Sequence, residues 1–272
     1  SGRVWLFPEN KNYLIAFENN KQIRKVTFDS ARLSTGIRDI FEDALGTTWF
    51  LTDSGICRLK KTSREPEYFF FNMTRHSGKP YSFTFIMETK DDIWFGGAKG
   101  KLTRYTKKSS TFFDFELGIK GNIIQIQLVS DNKVLIATEE QGFYLYDIKK
   151  GKLDVYNSTT LAGFPSGKIR YLGITHLRQF WFEAIGSGVY QFDLIARKLK
   201  HIEVNSSDPA SVGTDRRSFL LTSPDGTVWI QSNKGAFAYW NEKQNKLCSI
   251  IQCIKESRET FSDVMHTAMF DR

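Results

Sequence analysis

The feature that most constrains this chain is a repeat. "TTWFLTDSGICRLKK", beginning at Thr47, aligns with "DIWFGGAKGKLTRYTKK", "KVLIATEEQGFYLYDIKK", "QFWFEAIGSGVYQFDLIA" and "TVWIQSNKGAFAYWNEKQ". Each copy has a large apolar anchor, a short polar turn ending in glycine, and an alternating strand. A fainter copy, "RVWLFPENKNYLIAFENNKQ", opens the chain with Asn12 in the glycine's place. The anchors Trp5, Trp49, Trp94, Leu135, Trp181 and Trp229 recur every 41 to 48 residues. A strand precedes each later anchor ("IRDIFED", "FTFIMET"), and another follows the glycine strand ("EYFFFN", "TFFDFE"). Four strands in roughly 45 residues is the period of a propeller blade.

The sequence therefore predicts an all-β chain. Residues 1–272 form a single β-propeller domain of four-stranded antiparallel blades, six by repeat count. The chain opens at the second strand of a blade. Residues 262–272, with "VMHTAMFDR", have the pattern of a first strand and are expected to complete blade one and close the ring. Closure removes the strand edges that invite aggregation. A seven-bladed ring shortened by one blade is the alternative. The anchor rings are expected to fill the wedges between blades. Gly55, Gly100, Gly142, Gly188 and Gly235 are expected to supply positive φ in the turns, and Gly46 and Gly226 to mark the turn from first to second strand. The acidic pairs Glu42-Asp43 and Asp91-Asp92 read as turn residues.

Composition narrows the function more by exclusion than by indication. The chain is 40% hydrophobic and 25% charged, which is ordinary globular material, with 23 Phe among its aromatics. Its net charge is +8, but no run of five or more basic residues occurs, so nucleic acid is not an expected partner. No stretch approaches the ~18 consecutive apolar residues of a membrane span. Any membrane link would lie in segments outside this sequence. The three cysteines, Cys57, Cys248 and Cys253, form no CxxC. Cys57 reads as a core residue, and pairing of Cys248 with Cys253 is left open. The four histidines, His76, His176, His201 and His266, form no metal or catalytic signature. "GGAKGK" at Gly96–Lys101 lies between two strands and opens no helix, so it is not a phosphate loop. No catalytic residue, metal or cofactor is expected.

"IRDIFEDALGTTWFLTDSGICRLKK", Ile37 to Lys61, resembles the two-component regulator propeller repeat: an Ile-rich strand, an acidic residue, Gly, a Trp-aliphatic pair, a small residue, Gly, and a strand ending in Arg. "FYLYDIKKGKLDVYN" and "VYQFDLIARKLKHIE" resemble its second half. Leu135 in place of Trp, Asn12 in place of Gly, and six units where seven per ring is usual depart from the pattern. The resemblance implies the periplasmic sensor region of a hybrid two-component system of gut Bacteroidetes, in which propellers detect polysaccharide fragments. Its partners would be an oligosaccharide, other domains of the same receptor, and a second copy in a homodimer.

Propellers bind at the channel mouth, where the fourth-to-first and second-to-third connections converge. Counting back from the anchors places Arg38, Tyr81, Lys168, Arg170, Arg216 and His266 there, with Phe83, Asn122, Ile124 and Ser218 alongside. Arg and Lys suit the hydroxyls, carboxylates or sulfates of a sugar, and Arg adds a rigid fork. The leading expectation is a ligand-sensing propeller without enzymatic activity. The alternatives are a scaffold or dimerisation propeller, and a propeller lyase or hydrolase that would have to use His266 or Tyr81.

Overall fold

The computed structural model describes residues 3–6, 8, 12–29, 37–52, 55–69, 83–175, 179–202, 219–222, 227–231 and 237–249. Among them lie six antiparallel sheets, taken up one after another along the chain. Sheet 1 has three strands: β1 (Val4–Leu6), β2 (Tyr13–Glu18) and β3 (Lys21–Thr27). Sheet 2 comprises β4 (Ile37–Glu42), β5 (Thr48–Thr52), β6 (Gly55–Leu59) and β7 (Glu67–Phe69). Sheet 3 comprises β8 (Phe83–Glu88), β9 (Asp92–Gly97), β10 (Leu102–Thr106) and β11 (Thr111–Phe115). Sheet 4 comprises β12 (Ile123–Ser130), β13 (Lys133–Thr138), β14 (Phe143–Asp147) and β15 (Lys152–Tyr156). Sheet 5 comprises β16 (Ile169–Ile174), β17 (Gln179–Ala184), β18 (Gly188–Asp193) and β19 (Lys198–Ile202). Sheet 6 comprises β20 (Phe219–Thr222), β21 (Val228–Gln231), β22 (Phe237–Asn241) and β23 (Lys246–Ser249). In each, every strand pairs with the next in the chain, which is the four-strand unit read from the period. Sheet 1 lacks a first strand among the described residues. The segment expected to supply it, 262–272, lies outside them.

The chain divides into two compact units, residues 1–128 and 129–272. In the first, the second strand of sheet 2 packs on both sides. Trp49 of β5 is 1% exposed and sits against Phe83, Ile86, Ile93, Phe95 and Tyr105 of sheet 3. The next residue, Phe50, points the other way, as strand alternation requires. It joins Trp5, Leu14, Val26 and Phe28 of the preceding repeat. "Trp-Phe" thus fills two wedges with adjacent residues. Each fully buried ring of this kind contributes about 1.5–3 kcal/mol of transfer free energy.

The second unit repeats the device. Trp181 of β17 packs on Val228, Ile230, Ala238 and Trp240 of sheet 6. Its neighbours Phe180 and Phe182 turn back to Phe143 of sheet 4, at centroid distances of 4.7 and 5.6 Å. Phe192 and Phe164 close around the same ring at 5.1 and 5.4 Å. The high phenylalanine content is spent here, between sheets.

The turns tighten where glycine permits it. Gly100 (φ +72°) and Gly142 (φ +82°) close the second-to-third turns of sheets 3 and 4. A Cβ at Gly100 would lie 1.9 Å from the Ile119 carbonyl oxygen, and one at Gly142 would lie 2.2 Å from that of Tyr156. Only glycine accommodates both the conformation and the approach.

One charged group is built into this apolar packing. Arg58 lies opposite Trp49 in the β5–β6 register and is buried. Its guanidinium faces the rings of Tyr105, Phe69 and Trp49 at 5.0, 5.1 and 5.6 Å and donates to Tyr105 Oη. It also binds Glu67, with Nε 2.8 Å from Oε2. Burial pushes the Glu67 carboxyl up, but the hydrogen bonds from Lys60 and Arg58 outweigh this and hold it below the usual carboxylate range. Arg104, opposite Trp94, repeats the arrangement over Trp94, Phe113 and Phe115. The repeat's strand-three arginine is therefore a packing element.

Candidate functional site

Three backbone segments meet at one end of the sheets: the start of a first strand, the second-to-third turn, and the turn of the preceding sheet. In the second unit they are tied by main-chain bonds. Ile185 N donates to Lys168 O at 2.9 Å, and Ile169 N donates to Glu139 O at 2.6 Å. This end carries a compact group of charges. Lys168 Nζ lies 2.8 Å from Glu139 Oε1 and 3.4 Å from Glu140 Oε1. Arg170 Nη1 lies 3.8 Å from Glu183 Oε2. Hydrogen bonding to Glu139 raises the Lys168 ammonium above the ordinary lysine range. The strand pleat explains the grouping: Ile169 is buried, while Lys168 and Arg170 on either side of it face the other way.

Glu183 is the most informative member. It lies on β17 directly opposite Arg170 in register and is only 3% exposed. A carboxylate at such a depth costs desolvation energy unless paired and hydrogen-bonded. The same place, two residues past the anchor, holds Leu51, Gly96 and Ala137 in sheets 2, 3 and 4. The fold therefore does not require a charge there. Counting back from the anchors missed Glu183, although the departure from the repeat was visible in "QFWFEAIG".

The expected mouth residues fall into three groups. Lys168 and Arg170 are brought together as described. Arg38 is exposed, but it is not the counterpart of Arg170. The β4–β5 register passes from Ile37↔Thr52 to Asp39↔Leu51, so Arg38 is the extra residue of a β-bulge. Sheet 5 bulges later, between Tyr171 and Gly173, and a count from the anchor slips by one between the two sheets. The position matching Arg170 in sheet 2 is Asp39. Tyr81, Arg216 and His266 lie outside the described residues, as does Ser218. Phe83, expected beside Tyr81, is a core residue at 0% exposure. Asn122 accepts a bond from Lys99 N at 3.3 Å, the first unit's version of the same turn-to-strand tie.

Among the described residues no group of three His, Cys, Asp or Glu side chains could hold a metal ion. Nor is any helix there long and apolar enough to cross a membrane. Cys57 is buried, and desolvation pushes its thiol up to about 12, so it is a packing residue. Cys248 is a free thiol and Cys253 lies outside the described residues. His201, the one histidine described, stacks on Tyr190 at 4.6 Å with Nε2 2.9 Å from Ser187 O.

No protein-family model and no curated protein matches the chain. Solved structures do. The extracellular domain assigned to a hybrid two-component system of Bacteroides thetaiotaomicron matches with a TM-score of 0.60 and 17% identity, over 79% of this chain and 30% of that one. A second extracellular domain from the same organism, assigned to a one-component system, gives 0.60 and 15% over 90% and 36%. Virginiamycin B lyase from Staphylococcus aureus gives 0.61 and 16% over 91% and 80%. The fold is a β-propeller. The likeness to the Bacteroides extracellular domains agrees with the repeat resemblance read from Ile37–Lys61. The propeller chain spans about a third of the length of those two domains.

Proposed function

We propose that this propeller is the ligand-sensing part of a periplasmic receptor of the two-component type. It binds an oligosaccharide at the rim described above and passes the signal through contacts with other receptor domains or a second copy. The carrying observation is the Arg170–Glu183 pair: a buried carboxylate and a half-exposed guanidinium at a position where sheets 2, 3 and 4 hold apolar or small residues and sheet 6 holds the uncharged Gln231. Fold maintenance does not call for it, and loop-end rims are where propellers bind. The likeness to extracellular domains of bacterial signalling systems supports the receptor context.

A second reading has the lyase likeness in its favour. It would need an acid or base within reach of a substrate proton. His201, the described histidine, is on the fourth strand and engaged with Tyr190 and Ser187. The residues this reading would use, His266 and Tyr81, lie outside the described residues, and the likeness to extracellular signalling domains favours sensing. Titration calorimetry against a panel of plant and host oligosaccharides tests it. Heat is expected with at least one glycan, weakened tenfold or more by Arg170→Ala while the melting temperature is retained. A folded protein silent toward the whole panel would favour a scaffold role, and product release from a glycan would favour the lyase.

A further inference from the structure

We infer that sheet 3 carries a docking site for an acidic segment of a partner protein, centred on Arg104 and Phe113. The inference rests on sheet 3 and does not depend on the rim binding a sugar. It starts from one register position. In line with the anchor, the last strands of sheets 1, 2, 4, 5 and 6 hold Arg24, Glu67, Asp154, Lys200 and Cys248. Four of the five are charged. Sheet 3 holds Phe113 there, and it is 44% exposed. The fold therefore does not require an apolar side chain at this place. A lone exposed ring is ordinary on a protein surface; the guanidinium beside it makes this one informative.

Arg104 stands between Trp94 and Phe113 in the register, 5.6 and 5.3 Å from their rings, with 24% of its side chain exposed. Sheet 2 shows the completed form of the same arrangement. Arg58 lies over Trp49 and is held by Glu67, 2.8 Å from Nε and 2.6 Å from Nη2, and Glu67 occupies the position of Phe113. Arg104 has no such carboxylate. Among the described residues its one ion pair, from Nε to Asp92 Oδ1, spans 4.0 Å, beyond hydrogen-bonding distance. Its Nε is buried with no hydrogen-bond partner. A guanidinium stacked on aromatic faces is weakly hydrated and keeps its donor fork for a planar carboxylate. The exposed ring of Phe113 adds apolar contact, and Arg with Phe is a pairing enriched in protein interfaces. A partner segment bearing a carboxylate beside an apolar side chain supplies in trans what Glu67 supplies within sheet 2.

The test probes the whole chain with short synthetic peptides that carry one Phe and, close by in sequence, either Glu, Gln or Lys, followed by fluorescence anisotropy in physiological salt. Members of the Glu set are expected to bind, and their Gln counterparts to be about tenfold weaker, the measure of one charge-assisted hydrogen bond. Arg104→Lys keeps the charge but loses the fork, and should weaken the Glu set by a similar factor. Phe113→Thr removes the ring at an exposed strand position where folding does not need it, and should weaken binding several-fold with the melting temperature retained. It carries the test if Arg104→Lys disturbs the fold. Equal binding of Glu and Gln peptides overturns the inference, as does binding that neither variant changes, or silence from the Glu set with the protein folded. Self-association of the chain that Phe113→Thr dissolves, seen by light scattering, overturns it in favour of a second copy as the occupant.

Discussion

At the scale of single residues, the tryptophan anchors do more than fill space, and their polar edges differ from sheet to sheet. Asp43, only 6% exposed, caps the β4–β5 turn. Its Oδ1 accepts from Leu45 N at 3.0 Å and Thr47 N at 2.9 Å, and its Oδ2 from Trp49 Nε1 at 2.9 Å. One carboxylate thus fixes both the turn and the anchor six residues on. Thr175 stands in the same relation to Trp181. Thr175 N donates to Gln179 O as Asp43 N donates to Thr47 O, and its hydroxyl receives Gln179 N. A hydroxyl is too short to reach the indole as well, and Trp181 Nε1 is buried with no hydrogen-bond acceptor. Removing a charged acceptor from a buried N–H costs about 1.5–3 kcal/mol. Asp43→Ala should therefore lower unfolding free energy by about 2–3 kcal/mol in denaturant melts followed by tryptophan fluorescence, and Thr175→Asp should raise it by about 1 kcal/mol. A neutral Asp43→Ala would show that the turn does not depend on the carboxylate.

At the scale of elements, strand number and order were legible because the blade repeats. One unit is ambiguous, whereas six aligned units fix where the apolar anchor, the glycine and the alternating strand must sit. The bulges were not legible. Arg38 and Arg170 stand eleven residues before their anchors, yet the register gives one to a bulge and the other to a paired site opposite Glu183. A bulge changes pairing without changing composition, so a count along the chain cannot place it. The ion pairs of the rim were hidden for a related reason. Glu139 and Glu140 lie 29 and 28 residues before Lys168, and only folding brings them within an ion pair's reach. Turn glycines were legible, and they can be ranked. Gly142 and Gly151 both have positive φ, +82° and +64°. A Cβ at Gly151 meets nothing within 4 Å, while at Gly142 it would strike the Tyr156 carbonyl. Gly151→Ala should cost about 1–2 kcal/mol, the backbone penalty alone. Gly142→Ala should cost clearly more, because β14 and the end of β15 must separate. Chemical denaturation of the two variants side by side checks this, and equal losses would show that the close approach relaxes freely.

At the scale of the whole molecule, the reading of 1–272 as one ring is carried by the sequence period, and sheet 1 shows what it requires. β1 pairs with β2 along one side, and its Val4 and Leu6 are 55% and 50% exposed. Every other sheet has a first strand in the place that sheet 1 leaves vacant among the described residues. An apolar edge strand without a partner is a template for another chain. We propose that residues 262–272 supply the partner. Deleting them should then expose β1 along its whole length. The shortened chain should melt lower by about 5 °C or more, the equivalent of roughly 2 kcal/mol in a chain of this size. It should also self-associate on size-exclusion chromatography with light scattering. A synthetic peptide of residues 262–272 should bind the shortened chain and restore both properties, whereas a peptide of the same composition in scrambled order should not, because register depends on alternation. If the shortened chain instead melts unchanged and stays monomeric, the strand belongs elsewhere, and the shortened seven-bladed ring becomes the architecture to pursue.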